Sequence, residues 1–593
     1  MKMIFTLYFA ISIISVFSQD TAWTTFYEQS GGKETPRYAQ TVEFCERLAK
    51  ASHLIKFTSF GKSARGRNLP LLIVDKDGLA DPGTIRATGR IIVLIQACIH
   101  PGECEGKDAG LMLLRDLVIL KKYPGLLDHV SILFIPIFNV DGHERFGPYN
   151  RINQNGPKEM GWRVSANNLN LNRDFLKADT PEMQYWLSLF NKWMPDFFID
   201  THTTDGADYQ YVLTYGMELD GDMESGLTSW SQHVFLDTLT KMMDKSGFPV
   251  FPYVGFRNWE DPKSGLVTSV SPPMLSEVYT SLRNRPGLLI ETHMLKPYDQ
   301  RVRSTYECLK HSLTILNKEY KALYDNIVRA DKLTASNEFR KIDFPLQYKT
   351  IENDSTMIDF LGIEYKRVRS EITNEYWYQY GTKKETYHLP YFNKVKPVVF
   401  TKIPEVYIIP VEWKEVTDRL ELHGVKIHRL LKDTLVSVSS YKIKNPKWQS
   451  NPYEGRHPMI NFELQEITED RLIPAGSAVI DMNQPSARII VHVLEPKGNG
   501  SYLYWGFFDP VFEQKEYAEN YVIEDMAPKI FADHPLLNAE FREKKSSDTV
   551  FAKNPDLILN WLYSQTPYWD ARKDVYPVSK IFDPEVAGKL LGE

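Results

Sequence analysis

Four short motifs contain residues whose types and spacing could carry out metal-dependent hydrolysis. They are His100-Pro-Gly-Glu103, Asn170-Leu-Asn172-Arg173-Asp-Phe175, Asp200-Thr-His202 and Leu288-Leu-Ile-Glu291-Thr-His293. Together they supply imidazoles, carboxylates and a guanidinium. Such a set can bind zinc, activate water and hold an anionic substrate. The combination predicts a metal-dependent hydrolase.

The first and third motifs contain the predicted metal ligands. His100 and Glu103 are separated by two residues, Pro101 and Gly102, so a tight bend can direct both at one ion. His202 would complete three protein ligands and leave a position open for water, as in catalytic zinc sites. Cys104 and Glu105, beside the loop, are alternative ligands.

Asp200 precedes His202 by two residues, so the two side chains share one face of an extended strand. Two interpretations of Asp200 stay open. Its carboxylate either orients a metal-bound histidine or simply ends the strand.

Glu291 ends an apolar strand, where burying a carboxylate is costly without a purpose. We interpret it as the general base that takes a proton from the attacking water and delivers it to the leaving amine. The alternative is a structural salt bridge. His293 shares that face and is left without a role.

Arg163 and the Asn172-Arg173 pair are the predicted substrate-binding groups. A guanidinium holds a carboxylate through two parallel hydrogen bonds. One arginine could therefore bind a terminal carboxylate while the other stabilises the oxyanion of a tetrahedral intermediate. A surface ion pair is the alternative for either arginine.

Uninterrupted apolar strands separated by helices predict a parallel or mixed sheet that is covered on both faces. Strands are predicted at 90–96, 130–137, 196–200 and 286–291, and helices at 107–122 and 306–327. His100, His202 and Glu291 all lie at or just past strand ends, where such sheets bind ligands. Helical periodicity lapses near residue 335, and the segments beyond, such as 406–410 and 487–493, have the pattern of strands.

Bulk properties exclude some classes of protein. The chain has 593 residues, a net charge of −6 and no basic run, so nucleic acid is not an expected partner. Lys2 and the apolar run from Ile4 to Val16 predict a secretory signal peptide over residues 1–18 and no membrane span after its cleavage. Cys98 and Cys104 form either a local disulfide or free thiols.

These residues resemble the zinc carboxypeptidase family, the carboxypeptidase A-like metallopeptidases, over about residues 35–330. The resemblance rests on the four motifs and the Asn139-Val-Asp-Gly142 turn. It implies a three-layer α/β/α sandwich with a mixed, mostly eight-stranded sheet, here over residues 19–335. A β-rich C-terminal domain of unknown role would follow over residues 336–593.

The resemblance also implies site roles and an activity. His100, Glu103 and His202 would bind one Zn²⁺ per chain, and Glu291 would be the catalytic glutamate. Arg163 would stabilise the oxyanion, while Asn172 and Arg173 would bind the carboxylate. The expected activity is removal of C-terminal residues from peptides with a free carboxylate, by a secreted or periplasmic enzyme.

Two features depart from the family pattern: the second domain is far larger than the small β-sandwich that follows some members, and the family's tyrosine is not in its usual place. The family's mobile tyrosine stands about twenty residues before the catalytic glutamate, and neither Tyr279 nor Tyr253 aligns with it without gaps. The alternatives are an N-acyl amino acid deacylase or murein-peptide amidase on the same fold, and a non-catalytic protein that binds peptide or glycan. Oligomeric state and the preferred C-terminal residue stay open.

Overall fold

The computed structural model describes residues 22–258 and 261–592. The predicted signal peptide, residues 1–18, lies outside the described residues. Within the described ranges, no helix combines the length and the apolar character that a membrane span requires.

The first half of the chain alternates strands and helices. Its strands are β1 Ile55–Lys62, β2 Asn68–Val74, β3 Ile91–Gln96, β4 Val130–Ile135, β5 Phe197–Thr204, β6 Leu213–Met217, β7 Val250–Pro252, β8 Gly255–Asn258, β9 Asp261–Val267 and β10 Gly287–His293. Its helices are α1 Phe26–Gln29, α2 Tyr38–Ala51, α3 Pro82–Ala87, α4 Glu105–Val118, α5 Val140–His143, α6 Pro181–Trp193, α7 Ser225–Trp230, α8 Asp237–Lys245, α9 Ser276–Leu282 and α10 Tyr298–Thr334. A 3₁₀ turn spans Leu171–Arg173 and a π-helical turn spans Ser231–Leu236.

Eight strands form one mixed sheet in the order β1-β2-β4-β3-β5-β10-β6-β7. The central strands β4, β3, β5 and β10 run parallel to one another. β1 and β2 pair antiparallel with their neighbours, and β6 is antiparallel to β10 but parallel to β7. The predicted mixed eight-stranded sheet is confirmed.

Each central strand buries both of its faces because alternate side chains point to opposite sides of a sheet. Ile91, Val93 and Ile95 of β3 pack with α2, α4, α8 and α10 in one apolar cluster. Ile92 and Leu94 pack with α6 and α9 in a second cluster on the other face. The result is the expected three-layer sandwich.

The second half of the chain is rich in strands. They are β11 Asp343–Thr350, β12 Thr356–Arg369, β13 Tyr376–Phe392, β14 Val395–Lys402, β15 Val406–Ile409, β16 His428–Arg429, β17 Thr434–Trp448, β18 Met459–Ile473, β19 Ala478–Asp481 and β20 Ser579–Ile581. Its helices are α11 Asn337–Arg340, α12 Lys414–Leu422, α13 Ala487–Leu494, α14 Asn520–Asp533, α15 Pro535–Ser547, α16 Thr549–Lys553, α17 Pro555–Tyr563 and α18 Pro584–Leu591. A second 3₁₀ turn spans Asp509–Phe512.

These strands form sheets of two, four and six strands, so the β-rich character predicted for the second half is confirmed. The four-stranded sheet has the order β12-β13-β9-β8 and therefore combines strands from both halves of the chain. The apolar cluster behind the large sheet likewise includes Tyr407, Ile480 and Trp505. The second half thus packs directly against the sandwich.

The structure decides two local predictions, one of a strand and one of a disulfide. The strand predicted at 487–493 is wrong, because Ala487–Leu494 is a helix whose eight residues are all buried. A short apolar run does not distinguish a buried helix from a buried strand, and here the β-branched residues misled the interpretation. All four cysteines are free and buried, so Cys98 and Cys104 are not joined by a disulfide.

Candidate active site

The predicted metal ligands converge on one point. One nitrogen or oxygen atom each of His100, Glu103 and His202 lies within 4.8 Å of the others. The Nδ1 atoms of the two histidines are 3.3 Å apart, and they lie 3.2 and 3.1 Å from the two carboxylate oxygens of Glu103. All three residues are buried. The structure therefore brings together donors that are far apart in sequence.

The sheet explains this convergence. β3 and β5 are parallel neighbours, with Gln96 opposite Asp200, so the loop after β3 and the end of β5 meet at the same edge. In that loop the backbone N–H of Glu103 donates to the carbonyl of His100 at 2.9 Å, and this turn brings the two side chains together. α4 begins two residues later, at Glu105.

The outer nitrogens of both histidines are held by hydrogen bonds. His100 Nε2 lies 2.9 Å from Asn170 Oδ1, and His202 Nε2 lies 2.9 Å from Asp200 Oδ2. Both partners are acceptors, so each Nε2 carries the proton and donates. In the neutral form that metal ligation requires, this tautomer would direct a lone pair on Nδ1 at the shared centre. Asp200 is therefore placed to orient His202.

This donor set fits zinc. Two imidazole nitrogens and one carboxylate oxygen are ligands that catalytic zinc sites use. The spacings also match, because a tetrahedron with zinc–ligand bonds of 2.0–2.1 Å has edges of about 3.3 Å. Without a cation, two Nδ1 lone pairs at 3.3 Å would face each other unfavourably.

Burial and neighbouring charges set the protonation of the donors. Burial lowers the pKa of His100 to about 4 against the opposing effect of Glu103. Burial also lowers the pKa of His202, but Asp200, Glu103 and Glu291 together raise it well above its ordinary value. Burial raises the pKa of Glu103, yet His100, Arg151 and His202 hold it well below the ordinary value. The Glu103 carboxyl is therefore ionised, as a metal ligand would be.

Glu291 stands beside this group. It lies on β10, directly opposite His202 on the parallel strand β5. Its Oε2 atom is buried and has no hydrogen-bond partner among the described residues. Burial raises the pKa of Glu291 to about 8, and the charge of His202 opposes that rise. A carboxylate with one buried oxygen that lacks a hydrogen-bond partner, beside a candidate metal-binding group, is placed to exchange protons.

The arginines surround the same opening. Arg163 Nη1 lies 3.5 Å from Glu103 Oε1. Arg173 donates through Nη1 to the carbonyl of Asn172 at 2.7 Å, and Asn172 Oδ1 accepts the backbone N–H of Ser276 at 3.1 Å. These predicted residues line one cavity of about 760 Å³ together with the metal-binding group and Glu291.

Three neighbouring residues have other partners. Glu105 forms an ion pair with Arg301 at 3.0 Å, and the thiol of Cys104 donates to the carbonyl of Pro101 at 3.2 Å. His293 Nε2 lies 2.8 Å from the carbonyl of Ala207. In the described part of the chain, neither Cys104 nor Glu105 belongs to a group that could hold a metal.

Part of the chain is similar to a known protein family. Residues 41–210 match the family model described as zinc carboxypeptidase. This segment belongs to the zinc carboxypeptidase family. It includes His100, Glu103, Arg163 and His202, whereas Glu291 lies beyond its end.

The similarity to curated relatives extends over most of the chain. "Carboxypeptidase 2" of Trichophyton rubrum is 23% identical over 503 residues, which cover 80% of this chain and 85% of the relative. "Carboxypeptidase 2" of Trichophyton equinum is 23% identical over 509 residues, with the same coverage. Both alignments therefore continue past the sandwich into the second half.

Solved structures were also compared with the chain. Carboxypeptidase A from Helicoverpa armigera is 16% identical, with a TM-score of 0.37 and coverage of 49% of this chain and 75% of that protein. A metallo-carboxypeptidase from Burkholderia cenocepacia is 15% identical, with a TM-score of 0.35 and coverage of 48% and 69%. Because these TM-scores are below 0.5, the fold assignment rests on the sheet described above.

Sequence reasoning missed three residues around the candidate site. Arg151 forms an ion pair with Glu103. The available signal for Arg151 in the sequence was its basic side chain, twelve positions before Arg163. Tyr253 lines the cavity, and its hydroxyl is hydrogen bonded to Thr204. Tyr279 is instead buried in the core, with its hydroxyl 3.0 Å from His423 Nδ1.

Tyr453, in the second half of the chain, is the third missed residue. Its hydroxyl accepts a hydrogen bond of 3.2 Å from Arg173 Nε. The neighbouring Glu454 accepts the backbone N–H of Asn170 at 2.8 Å. Both contacts span about 280 residues of sequence, so no local pattern announces them. The second half thus supports the segment that contains the predicted carboxylate-binding pair.

Proposed function

We propose that this chain is an exported zinc metallocarboxypeptidase that hydrolyses the C-terminal peptide bond of peptides. The carrying observation is the group formed by His100, Glu103 and His202 with the partnerless Oε2 of Glu291 beside it. The family match of residues 41–210 and the names of the relatives support the same activity.

Each residue of the site has a role in this proposal. His100, Glu103 and His202 hold one zinc ion, which supplies a Lewis acid for the scissile carbonyl and lowers the pKa of the attacking water. Glu291 takes a proton from that water and passes it to the leaving nitrogen. Arg163 donates hydrogen bonds to the oxyanion that develops on the carbonyl oxygen.

Asn172 and Arg173 bind the free carboxylate of the last residue in this proposal. Arg173 has its Nη1 on the Asn172 carbonyl and its Nε on Tyr453, so the remaining Nη2 can face the cavity. A guanidinium fixed in this way loses little conformational entropy when it meets a carboxylate. A free carboxylate is therefore the substrate feature that the site selects.

The proposal extends to the organisation of the chain. Residues 1–18 are an export signal, residues 19–335 contain the catalytic residues, and residues 336–593 contact and support the carboxylate-binding segment. The contacts of Tyr453 and Glu454 with the carboxylate-binding segment support this role for the second half.

The test uses purified protein, blocked dipeptides with free C-termini and their amidated counterparts. We expect release of the C-terminal residue, loss of activity with chelator, and no turnover of the amides. Glu291→Gln should lower kcat by about 10²–10⁴-fold, the usual contribution of a general base. It should still bind about one zinc per chain, as three intact ligands require.

Glu543→Gln, at an exposed carboxylate of α15 that does not line the cavity, is the matched control and should behave as wild type. One bound zinc with no turnover of any free-carboxylate peptide would refute the carboxypeptidase and direct attention to N-acyl amino acid or murein-peptide substrates. Absence of bound metal would refute the hydrolytic mechanism altogether.

A further inference from the structure

A two-stranded ribbon extends from the second half of the chain. It consists of residues 365–369 of β12 and residues 376–380 of β13, and we call these paired residues the ribbon. In the described part of the chain the ribbon strands pair only with each other, and β9 joins β13 through Tyr391 and Phe392 alone. A pair of strands without further partners buries little apolar surface of its own. The side chains of the ribbon are therefore available to another molecule.

The base of the ribbon is fixed at the edge of the cavity. Tyr391, on β13, is one of the residues that line the cavity. The side-chain amide of Gln210 donates to the carbonyls of Gly362 and Glu385, each at 2.9 Å. Gln210 lies in the loop between β5 and β6, and β5 contributes His202 to the metal-binding group. The ribbon therefore begins beside the site and leads away from it.

A row of aromatic rings connects the cavity to the ribbon. The ring centre of Phe251 lies 5.9 Å from that of Tyr391 and 5.3 Å from that of Phe360. The Phe360 ring lies 6.3 Å from Tyr387, which lies 6.3 Å from Tyr365 in the ribbon. These distances are typical of paired aromatic side chains. The ribbon face that contains Tyr365 therefore continues the sheet face that packs against the sandwich.

This face of the ribbon combines tyrosine with arginine. Cross-strand pairs on it join Tyr365 to Tyr380, Arg367 to Tyr378 and Arg369 to Tyr376. The opposite face contains Lys366, Val368, Trp377 and Gln379. Of the ten paired residues, five are aromatic, three are cationic and none is acidic. The ribbon is therefore a positively charged aromatic surface.

The outer end of the ribbon is exposed to solvent. Tyr376 is 53% exposed and Trp377 is 45% exposed. The Arg367 guanidinium lies 4.2 Å from the centre of the Tyr376 ring, and Arg369 Nε donates to the carbonyl of Asn374 at 3.3 Å. Within the described ranges neither arginine forms an ion pair with a carboxylate. Tyrosine, tryptophan and arginine are the residue types that contribute most to binding at protein interfaces.

The occupant that fits this surface is an acidic polypeptide. Cations without a carboxylate among them attract a negatively charged partner. Among the described residues the outer edge of β12 has no further strand partner along the ribbon, so its backbone groups can pair with an extended peptide. A polypeptide whose last residue lies in the cavity has to leave the cavity at its edge, and the ribbon begins at that edge.

We propose that the ribbon binds an acidic segment of a polypeptide substrate, upstream of the residue that is removed. The inference rests on the proposed function and specifies its substrates as long polypeptides with acidic segments. Because the cavity and the ribbon then hold two parts of one chain, binding at the first raises the effective concentration at the second. Short peptides bind through the cavity alone.

The kinetic test compares peptides with identical C-terminal residues. Two of them have about 20 residues, enough to span the roughly 50 Å along β13 from Tyr391 to Tyr376. The upstream part is rich in aspartate and glutamate in one and in serine and glutamine in the other, and a third peptide is short. Wild type should have a kcat/KM about fivefold to tenfold higher for the acidic peptide than for the neutral one, through KM, and high salt should remove this difference.

The double variant Arg367→Gln/Arg369→Gln should cleave the acidic and neutral long peptides within about twofold of each other, because it removes two of the three ribbon cations. Its kcat and KM for the short peptide should equal those of wild type. Arg303→Gln/Arg542→Gln is the matched control, since both arginines are exposed and lie outside the ribbon and the cavity lining. This control has the same change of charge and should keep the preference for the acidic peptide.

A binding measurement separates this inference from the proposed function. The acidic peptide with an amidated C-terminus lacks the carboxylate that Asn172 and Arg173 are proposed to hold. Fluorescence anisotropy should show that wild type binds it and that Arg367→Gln/Arg369→Gln binds it about fivefold more weakly. Ribbon-dependent binding of this peptide without cleavage of any peptide would overturn the carboxypeptidase and leave the peptide-binding ribbon intact.

Two results would overturn the ribbon inference and leave the carboxypeptidase intact. One is equal kcat/KM of wild type for the acidic and neutral long peptides. The other is binding of polygalacturonate, or of vesicles of phosphatidylglycerol, that is lost in Arg367→Gln/Arg369→Gln while the amidated acidic peptide does not bind. The ribbon would then be a surface for an anionic polysaccharide or a lipid headgroup.

Discussion

Replacing Asp200 by asparagine tests how the metal-binding histidine is held. Asp200 is fully buried, its Oδ2 lies 2.9 Å from His202 Nε2, and its Oδ1 accepts from Gln96 Nε2 at 3.2 Å. Asparagine has the same shape but no charge. Asp200→Asn therefore changes the hydrogen bond to His202 with little change in packing.

The size of the effect follows from the kind of bond lost. A hydrogen bond to a charged group contributes about 1.5–3 kcal/mol, against about 0.5–1.5 kcal/mol between neutral groups. The difference of about 1–1.5 kcal/mol corresponds to roughly tenfold in zinc affinity, at the low end of the 10–100-fold typical of such partners. If the amide nitrogen turns toward His202, the proton moves to Nδ1 and the loss is larger.

Competition against a chromophoric chelator at fixed pH measures the zinc affinity directly. Asp196→Asn is the matched control, because Asp196 is equally buried just before the same strand but binds Arg86 and the backbone of Ile92. It should lower thermal stability and leave zinc affinity unchanged. If Asp200→Asn binds zinc within twofold of wild type, then packing rather than this carboxylate orients His202, and the reasoning is wrong.

Three further changes have defined outcomes. Burial raises the pKa of Glu218 from 4.5 to about 8. The contribution of its protonated carboxyl to the free energy of unfolding is therefore complete below pH 4.5 and decreases as the pH rises to 8. Glu218→Gln should gain thermal stability relative to wild type between pH 5 and pH 8. A Cβ atom at Gly106 would lie 1.9 Å from Thr201 Oγ1, so Gly106→Ala should lower the free energy of unfolding by about 1–3 kcal/mol. Tyr453→Phe removes the hydrogen bond to Arg173 and should raise KM about 2–10-fold with kcat unchanged.

The following controls and contrary results test these three predictions. A stability difference for Glu218→Gln that does not vary with pH would show that its carboxyl is ionised normally. Gly147→Ala, where a Cβ atom meets nothing closer than 3.9 Å, should unfold at the wild-type temperature. Tyr504→Phe should keep the wild-type KM, and an unchanged KM in Tyr453→Phe as well would separate the second half from substrate binding.

Much of the large sheet could be predicted from sequence because its central strands are buried on both faces. Ile91–Gln96 is apolar up to its last residue, and Phe197–Thr204 begins with three apolar residues before its polar end. Parallel neighbours of this kind bring their ends together at one edge of the sheet. The convergence of His100, Glu103 and His202 followed from that rule. The large sheet and the group of predicted metal ligands could therefore be predicted from two things: the local apolar patterns of the strands, and the rule that parallel strands end at the same edge of a sheet.

What the sequence could not supply depends on contacts between distant segments. The helix Ala487–Leu494 is fully buried, so no polar face reveals its period. Tyr453 reaches Arg173 only because the second half packs behind the sandwich, and Tyr253 enters the cavity from β7's neighbouring loop. Propensity and periodicity describe single elements and contain no information on such pairings.

The acidic lining of the cavity illustrates the same limit. Glu218 follows a short strand and Glu277 lies in the first turn of a helix, and neither position has a recognisable motif. Both residues nevertheless line one cavity, because β6 pairs with β10 and Ser276 donates a hydrogen bond to Asn172. The predicted metal ligands and Glu291 lie in contiguous motifs, whereas the rest of the cavity wall depends on how distant segments pair.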